Sequence, residues 1–231
     1  MSEKYEKPRL AGLLAVALAT ALAAGAAQAA GGHHDVDDAN LLARGECTQE
    51  SWLVYPSGGS PRLHAGVNCR VGPVELGLAG EHLRPGGQPS ETFWVLEAKW
   101  ARELAEGFSV GLDVQPVFQA NARPHYAGLT AYAIASWTPR PGLALHANYG
   151  RDFIPGAAGQ ARGGVAAEWQ ASQRWSFVAE RYRDQATQFG RAGARWAGGR
   201  AWSVDFSRAQ RLAGPAPSKW TVGLSFDFPD D

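Results

Sequence analysis

Residues 220–228 read Trp-Thr-Val-Gly-Leu-Ser-Phe-Asp-Phe, and every second residue of this stretch is apolar. The apolar set is Trp220, Val222, Leu224, Phe226 and Phe228, and the residues between them are Thr221, Gly223, Ser225 and Asp227. Successive side chains of an extended strand point to opposite faces of the sheet. The stretch therefore predicts a β-strand with one apolar and one polar face.

The same two-residue period recurs along the chain and predicts twelve strands, which span residues 47–55, 62–70, 73–84, 92–102, 108–118, 126–138, 143–150, 163–170, 175–183, 188–197, 201–209 and 219–228. In the first strand the apolar face is ambiguous, since Trp52 and Val54 compete with Leu53 and Tyr55.

Short connections at residues 71–72, 103–107, 139–142, 171–174 and 198–200 alternate with longer polar ones at residues 56–61, 85–91, 119–125, 151–162, 184–187 and 210–218. We name the two sides of this arrangement the short-turn end and the long-loop end. Strands of about ten residues with this asymmetry are typical of transmembrane barrels. We predict an all-β fold, an antiparallel up-and-down transmembrane β-barrel of about 12 strands, over residues 47–231.

Aromatic residues give an independent indication of the same fold. One set lies beside the short turns: Trp100, Phe108, Trp137, Trp169, Trp175, Trp196 and Trp202. A second set lies near the longer loops: Tyr55, Trp94, Phe118, Tyr149 and Trp220. Aromatic side chains are enriched at both interfaces of a bilayer, so two bands favour a membrane barrel. The alternative is a soluble β-sandwich or lipocalin-like barrel, whose apolar faces would point inward.

Charge and hydropathy exclude two broad classes of protein. The 231 residues include 22 Lys and Arg and 22 Asp and Glu, so the formal net charge is zero. A nucleic acid is held largely by an excess of positive charge, so we expect no nucleic-acid partner. After residue 30, no apolar run is long enough to cross a bilayer as a helix.

The first 29 residues have the composition of a secretory signal peptide. Lys4, Lys7 and Arg9 precede an apolar stretch at residues 11–26, and Ala-Gln-Ala follows at residues 27–29 as a cleavage site. An uncleaved membrane anchor is the alternative, but the apolar stretch is short for a bilayer span. We therefore expect residues 1–29 to be removed on export and residues 30–46 to form a periplasmic N-terminal tail.

The last predicted strand also carries a family resemblance. Thr221, Gly223, Phe226 and Phe228 form a pattern that resembles the C-terminal assembly signal of bacterial outer-membrane barrels. It covers eight residues, and the chain departs from the usual pattern by adding three residues after the last aromatic. The resemblance implies location in the outer membrane of a Gram-negative cell, with the lipid bilayer and the barrel assembly machinery as partners.

Two cysteines, Cys47 and Cys69, fall nearly opposite each other if residues 56–61 form a hairpin loop. An even pair in an exported protein most often forms a disulfide. A metal or redox role is the alternative, but the chain contains no Cys-x-x-Cys.

The polar faces of the strands would line the barrel interior. This places charged or titratable residues in the lumen, including nine that are candidates for its lining: Glu97, Lys99, Asp113, His146, Glu168, Glu180, Arg191, Arg195 and Asp205. They would form either a structural ion-pair network or a selectivity lining, since rings of charge select ions in channels. A barrel of about 12 strands lies between filled and open barrels. We predict a narrow porin-like channel or transporter for small solutes, similar in size to the small porins for acidic oligosaccharides but without an unbroken arginine track. The alternative is a closed barrel with a structural or surface-interaction role.

Residues 33–38, His-His-Asp-Val-Asp-Asp, concentrate metal-ligating side chains. Imidazole and carboxylate bind zinc, copper and nickel, so His33, His34 and Asp35 are a candidate metal site. The alternative is a flexible tail in which Asp37 or Asp38 caps a short helical turn.

Enzymatic activity and a cofactor are not expected. No Gly-x-Ser-x-Gly motif is present in the sequence. An outer-membrane hydrolase is the least favoured alternative, and it would rely on His125 and Asp152 near the outer loops or on His82 near a third.

Overall fold

A computed structural model describes residues 33–199 and 201–228. Twelve strands follow one another along the chain: β1 (Cys47–Pro56), β2 (Arg62–Val71), β3 (Val74–Leu83), β4 (Glu91–Ala105), β5 (Phe108–Gln119), β6 (Tyr126–Arg140), β7 (Leu143–Phe153), β8 (Gln160–Gln170), β9 (Trp175–Asp184), β10 (Thr187–Ala197), β11 (Trp202–Ala213) and β12 (Lys219–Phe228). Each pairs antiparallel with its neighbours in sequence, and β1 pairs with β12 to close the barrel. The predicted fold is confirmed, whereas the predicted signal peptide at residues 1–29 lies outside the described residues. In the part of the chain that the structure describes, no helix is long and apolar enough to span a bilayer.

The predicted strand ends lie within two residues of the observed ones except in β4, β7, β8 and β11, where one end extends three or four residues further. Residues 151–162 are predicted to be a loop, but Arg151 pairs with Ala161 and Asp152 with Gln160, which lengthens β7 and β8. The connection between β9 and β10 is also shorter than expected, because Asp184 and Thr187 already pair with each other. Strand pairing therefore extends further toward the long-loop end than alternation of apolar residues indicated.

The apolar faces of the strands point away from the lumen. Tyr149 is 71% exposed and Trp169 is 56% exposed, and they lie at the long-loop and short-turn ends respectively. In β1, Leu53 and Tyr55 point outward while Trp52 and Val54 point inward, which settles the open face of that strand. A soluble barrel would place its apolar faces inside, so the soluble alternative is wrong.

A disulfide joins the first two strands. Cys47 lies directly opposite Cys69 in the β1–β2 register, and the two sulfur atoms are bonded. The predicted disulfide is confirmed, because the hairpin loop lies where the sequence indicated.

Replacing both cysteines by serine is expected to lower the free energy of unfolding by about 3 kcal/mol, since the bond closes a loop with a sequence separation of 22. Urea unfolding of the folded barrel in lipid vesicles, monitored by tryptophan fluorescence, measures this change. The wild-type protein under reducing conditions should shift by the same amount. An unchanged midpoint in both samples would contradict the prediction.

Residues 33–42, which precede β1, lie inside the barrel. We call residues 33–46 the N-terminal segment. A tail outside the barrel was expected, but Val36 and Ala39 are buried and their backbone N–H groups donate hydrogen bonds to Glu180 and Ser136 of the wall. The expectation of a free tail is therefore corrected for these residues. The physical reason is that buried polar groups need hydrogen-bond partners. The polar groups of the wall and those of the segment provide these partners for each other.

Candidate functional site

The barrel encloses a cavity of about 1980 Å³. Its lining includes Arg62 and Lys219 near the long-loop end and Arg70 and Arg140 near the short-turn end. The lining also includes side chains of the N-terminal segment. The cavity therefore extends along the barrel axis and is larger than an ordinary small-molecule pocket.

All nine residues placed in the lumen by alternation lie on inward-facing strand positions. They are Glu97 and Lys99 on β4, Asp113 on β5, His146 on β7, Glu168 on β8, Glu180 on β9, Arg191 and Arg195 on β10, and Asp205 on β11. Five of the nine lie in two groups, each organised around residues of the N-terminal segment: Arg191 and Glu180 in one group, and Lys99, Glu97 and Asp113 in the other.

The first group centres on Arg191, whose side chain is 1% exposed. Its Nη1 donates to Glu180 Oε2 at 3.0 Å and to the backbone carbonyl of His33 at 2.7 Å. Its Nη2 donates to Asp35 and to the hydroxyl of Tyr182. Arg191 thus joins a wall carboxylate to the inserted segment.

Asp35 is surrounded by cations. Besides Arg191, Arg162 lies 3.9 Å from its carboxylate and Lys219 lies 4.0 Å from it. Burial works against the charged form, but Lys219, Arg191 and Arg162 hold the pKa of Asp35 well below its usual value. Asp35 therefore stays ionised, and its negative charge faces cationic side chains from three strands.

Val36 provides the apolar anchor of the segment. Its side chain is fully buried in a cluster with Tyr182, Phe189, Ala166 and Ala209. This cluster lies inside the barrel, where most wall side chains are polar. The segment is thus held by apolar packing as well as by charge.

The second group surrounds Asp37. Lys99 Nζ lies 3.1 Å from its Oδ1, and carboxylate oxygens of Asp37, Glu97 and Asp113 lie within 4.8 Å of one another. Burial raises the pKa of Asp37 to about 7; Lys99 opposes this shift, and the carboxylates of Asp38 and Glu97 add to it. In this group, three carboxyl groups are thus clustered beside one ammonium group, that of Lys99.

The segment also contacts the wall nearer the short-turn end. Its Leu42 N–H donates to Glu75 Oε2 at 3.1 Å, and Arg70 Nη1 donates to the Leu42 carbonyl at 2.9 Å. Ser136, which accepts from Ala39, lies 2.7 Å from His146 Nδ1. His146 therefore supports the wall residue that holds the segment.

The metal site predicted at His33, His34 and Asp35 is not assembled as expected. Asp35 turns toward its three cations, which the sequence could not place beside it. Donor atoms of His33 and His34 instead lie within 4.8 Å of a carboxylate oxygen of Asp205 on β11. No helical turn forms at Asp37 or Asp38 in the described segment.

The remaining candidates are spread over the barrel. Thr221 and Gly223 of the proposed assembly signal face the lumen, while Phe226 and Phe228 face outward. Asp152 lies on β7 inside the barrel, where its Oδ1 accepts from Thr130 and Arg162, whereas His125 is exposed in the loop after β5. His82 on β3 contacts Thr92.

Sequence reasoning missed the contacts between the segment and the wall. The signal was present as a high density of hydrogen-bonding groups in residues 33–38, which suggests either metal binding or a flexible tail with a capped helical turn. Nothing in the spacing of these residues indicates partners more than one hundred residues away.

Three of the solved structures with similar folds are outer-membrane porins or channels. The KdgM porin matches with a TM-score of 0.64 at 9% identity, over 79% of this chain and 99% of its own. The COG4313 outer membrane channel from Pseudomonas putida F1 matches with a TM-score of 0.65 at 9% identity, over 84% of this chain and 99% of its own. The NanC porin matches with a TM-score of 0.60 at 10% identity, over 77% of this chain and 98% of its own. At these identities, the similarity establishes the barrel fold alone.

Sequence comparison gives a narrower result. No curated protein matches the chain. The family described as "Uncharacterised conserved protein UCP029691" matches residues 18–228, which include all twelve strands and the N-terminal segment. The chain belongs to this family.

Proposed function

We propose that the protein is a narrow porin-like channel of the bacterial outer membrane for small solutes. The observation that carries the proposal is a cavity whose lining includes charged side chains at both ends of the barrel, within a wall whose outer surface is largely apolar. A cavity that extends along the axis suits passage better than it suits a surface site. The N-terminal segment lies within this cavity and narrows it.

The charge distribution on the wall supports the membrane location. Arg151, Arg181, Arg183 and Arg208 point outward near the long-loop end, and Arg208 stacks on Trp220 at 4.8 Å. Arginines at the edge of an apolar band suit the phosphates of lipid head groups. The carboxylates Glu75, Asp113, Glu180 and Asp205, in contrast, are buried toward the lumen. This pattern fits a bilayer around the barrel.

The pairing of charges in the lumen limits which solutes the channel would attract. Arg191 binds Glu180, Arg195 binds Asp205 and Lys99 binds Asp37. Cations that are already paired attract a polyanion weakly, and these pairs replace the arginine track that an acidic oligosaccharide would require. We propose small polar solutes of either charge sign rather than acidic oligosaccharides.

Single-channel recording in a planar bilayer tests the proposal. The mature chain is refolded, and folding is checked by a heat-dependent mobility shift on a denaturing gel. Discrete, reproducible current steps are expected, with a reversal potential close to zero in a potassium chloride gradient because the lumen carries both signs of charge. A folded and inserted barrel that passes no current would overturn the channel and favour a closed barrel with a structural or surface-interaction role.

A further inference from the structure

A group of buried donor atoms lies where the N-terminal segment meets β11. One donor atom from each of His33, His34 and Asp205 lies within 4.8 Å of the others. His33 and Asp205 are buried, and the side chain of His34 is almost as inaccessible. Two imidazoles and one carboxylate form a donor set that binds divalent transition metals, with further positions left for water.

The surroundings of His33 leave one ring nitrogen available. Its Nε2 lies 2.7 Å from Ser207 Oγ, whereas its buried Nδ1 has no hydrogen-bond partner among the described residues. A metal-binding histidine usually donates its other N–H to an outer group that orients the ring. Ser207 occupies that outer position, which leaves the Nδ1 lone pair for an ion.

The other two donors differ in their surroundings. The Nδ1 of His34 is buried without a hydrogen-bond partner among the described residues, and it lies 3.7 Å from Glu180 Oε2. Arg195 Nε donates to Asp205 Oδ1 at 2.7 Å. This contact holds the carboxylate of Asp205 in place before an ion arrives, as outer contacts do in protein metal sites.

Space and charge are compatible with an ion. Gly223 faces His33, and a Cβ at this position would lie 3.2 Å from His33 Nδ1, so the glycine leaves room for the ring. Two cations lie close to the donors, and each is paired: Arg191 with Glu180, and Arg195 with Asp205, so a divalent ion would not meet unbalanced positive charge. Imidazole donors favour zinc, nickel, cobalt and copper over magnesium and calcium.

We propose that His33, His34 and Asp205 bind one divalent transition-metal ion, which ties the N-terminal segment to the barrel wall. The ion would join two residues of the segment to β11. The site replaces the set with Asp35 that the sequence suggested. It does not depend on the channel, because the donors would hold an ion in a closed barrel equally well.

Zinc titration of the refolded mature chain, prepared without a polyhistidine tag and stripped with a chelator, tests the proposal by calorimetry. We expect one zinc ion per chain. Cobalt(II) titrated in its place should give visible absorption bands of a protein-bound ion. His33→Ala and Asp205→Asn should each weaken zinc binding at least tenfold. The heat-dependent gel shift confirms that each variant has folded.

Two controls make the result specific. His64→Gln removes a lumen histidine that pairs with Glu81 and stacks on Trp52, and it should leave zinc affinity unchanged. Asp37→Asn tests the neighbouring carboxylate group. Wild-type protein that binds no zinc, or binding lost in Asp37→Asn but retained in His33→Ala, would overturn the site. A silent barrel that binds zinc through His33 would overturn the channel while leaving the metal site in place.

Discussion

A chain that begins at residue 42 is expected to conduct several times more current per channel than a chain that begins at residue 30. The deleted residues include Val36, which is fully buried, and Asp35 and Asp37, which pair with the wall. Water and ions would occupy the volume that these residues leave. Single-channel conductance of the two refolded proteins in the same salt measures the difference.

A substitution within the segment tests the same role without shortening the chain. Val36→Asp keeps the chain length but places a carboxylate in the apolar cluster around Phe189. Burying an unpaired charge there is costly, so the segment should leave its site part of the time and the current should fluctuate between two levels. If the truncated barrel folds and its conductance equals that of the full chain, the segment does not limit passage.

Arg191→Met is expected to lower the free energy of unfolding by about 3–5 kcal/mol. The substitution leaves the carboxylate of Glu180, whose side chain is 0% exposed, and that of Asp35 without their shared guanidinium. An uncompensated buried charge costs more than a well-formed pair contributes. Urea unfolding in lipid vesicles measures the loss, and Glu180→Gln added to Arg191→Met should recover part of it.

An exposed ion pair in the same lumen provides the comparison. Arg62 lies 3.8 Å from Glu81, and its side chain is 40% exposed. Arg62→Met should therefore cost no more than about 1 kcal/mol. Equal losses for Arg62→Met and Arg191→Met would show that water reaches Glu180 freely and that the pair is not buried in solution.

The strands could be predicted from the sequence because their signal is local. Each strand alternates between bilayer-compatible and polar residues, and this period is visible within the strand itself, as in β12 and β5. Residues 151–153, 160–162 and 210–213 were missed because Arg, Asp and Gln interrupt the alternation of apolar side chains there. Those residues pair through backbone hydrogen bonds, which side-chain patterns do not report.

The position of the N-terminal segment could not be predicted in the same way. Val36 donates to Glu180, which lies 144 residues further along the chain, and Ala39 donates to Ser136, which lies 97 residues away. Such contacts depend on closure of the barrel, so they leave no periodic trace in the sequence. Asp35 illustrates the consequence: its neighbours Arg162, Arg191 and Lys219 come from three different strands.

The inserted segment has a mechanical consequence for the barrel. It is hydrogen-bonded to Glu75 of β3 and to Glu180 of β9. These two strands lie on opposite sides of the twelve-strand ring. A thin-walled cylinder flattens easily under sideways compression, whereas a tie between opposite walls resists the flattening. The segment therefore connects opposite walls of the barrel, and we expect it to resist flattening of the barrel.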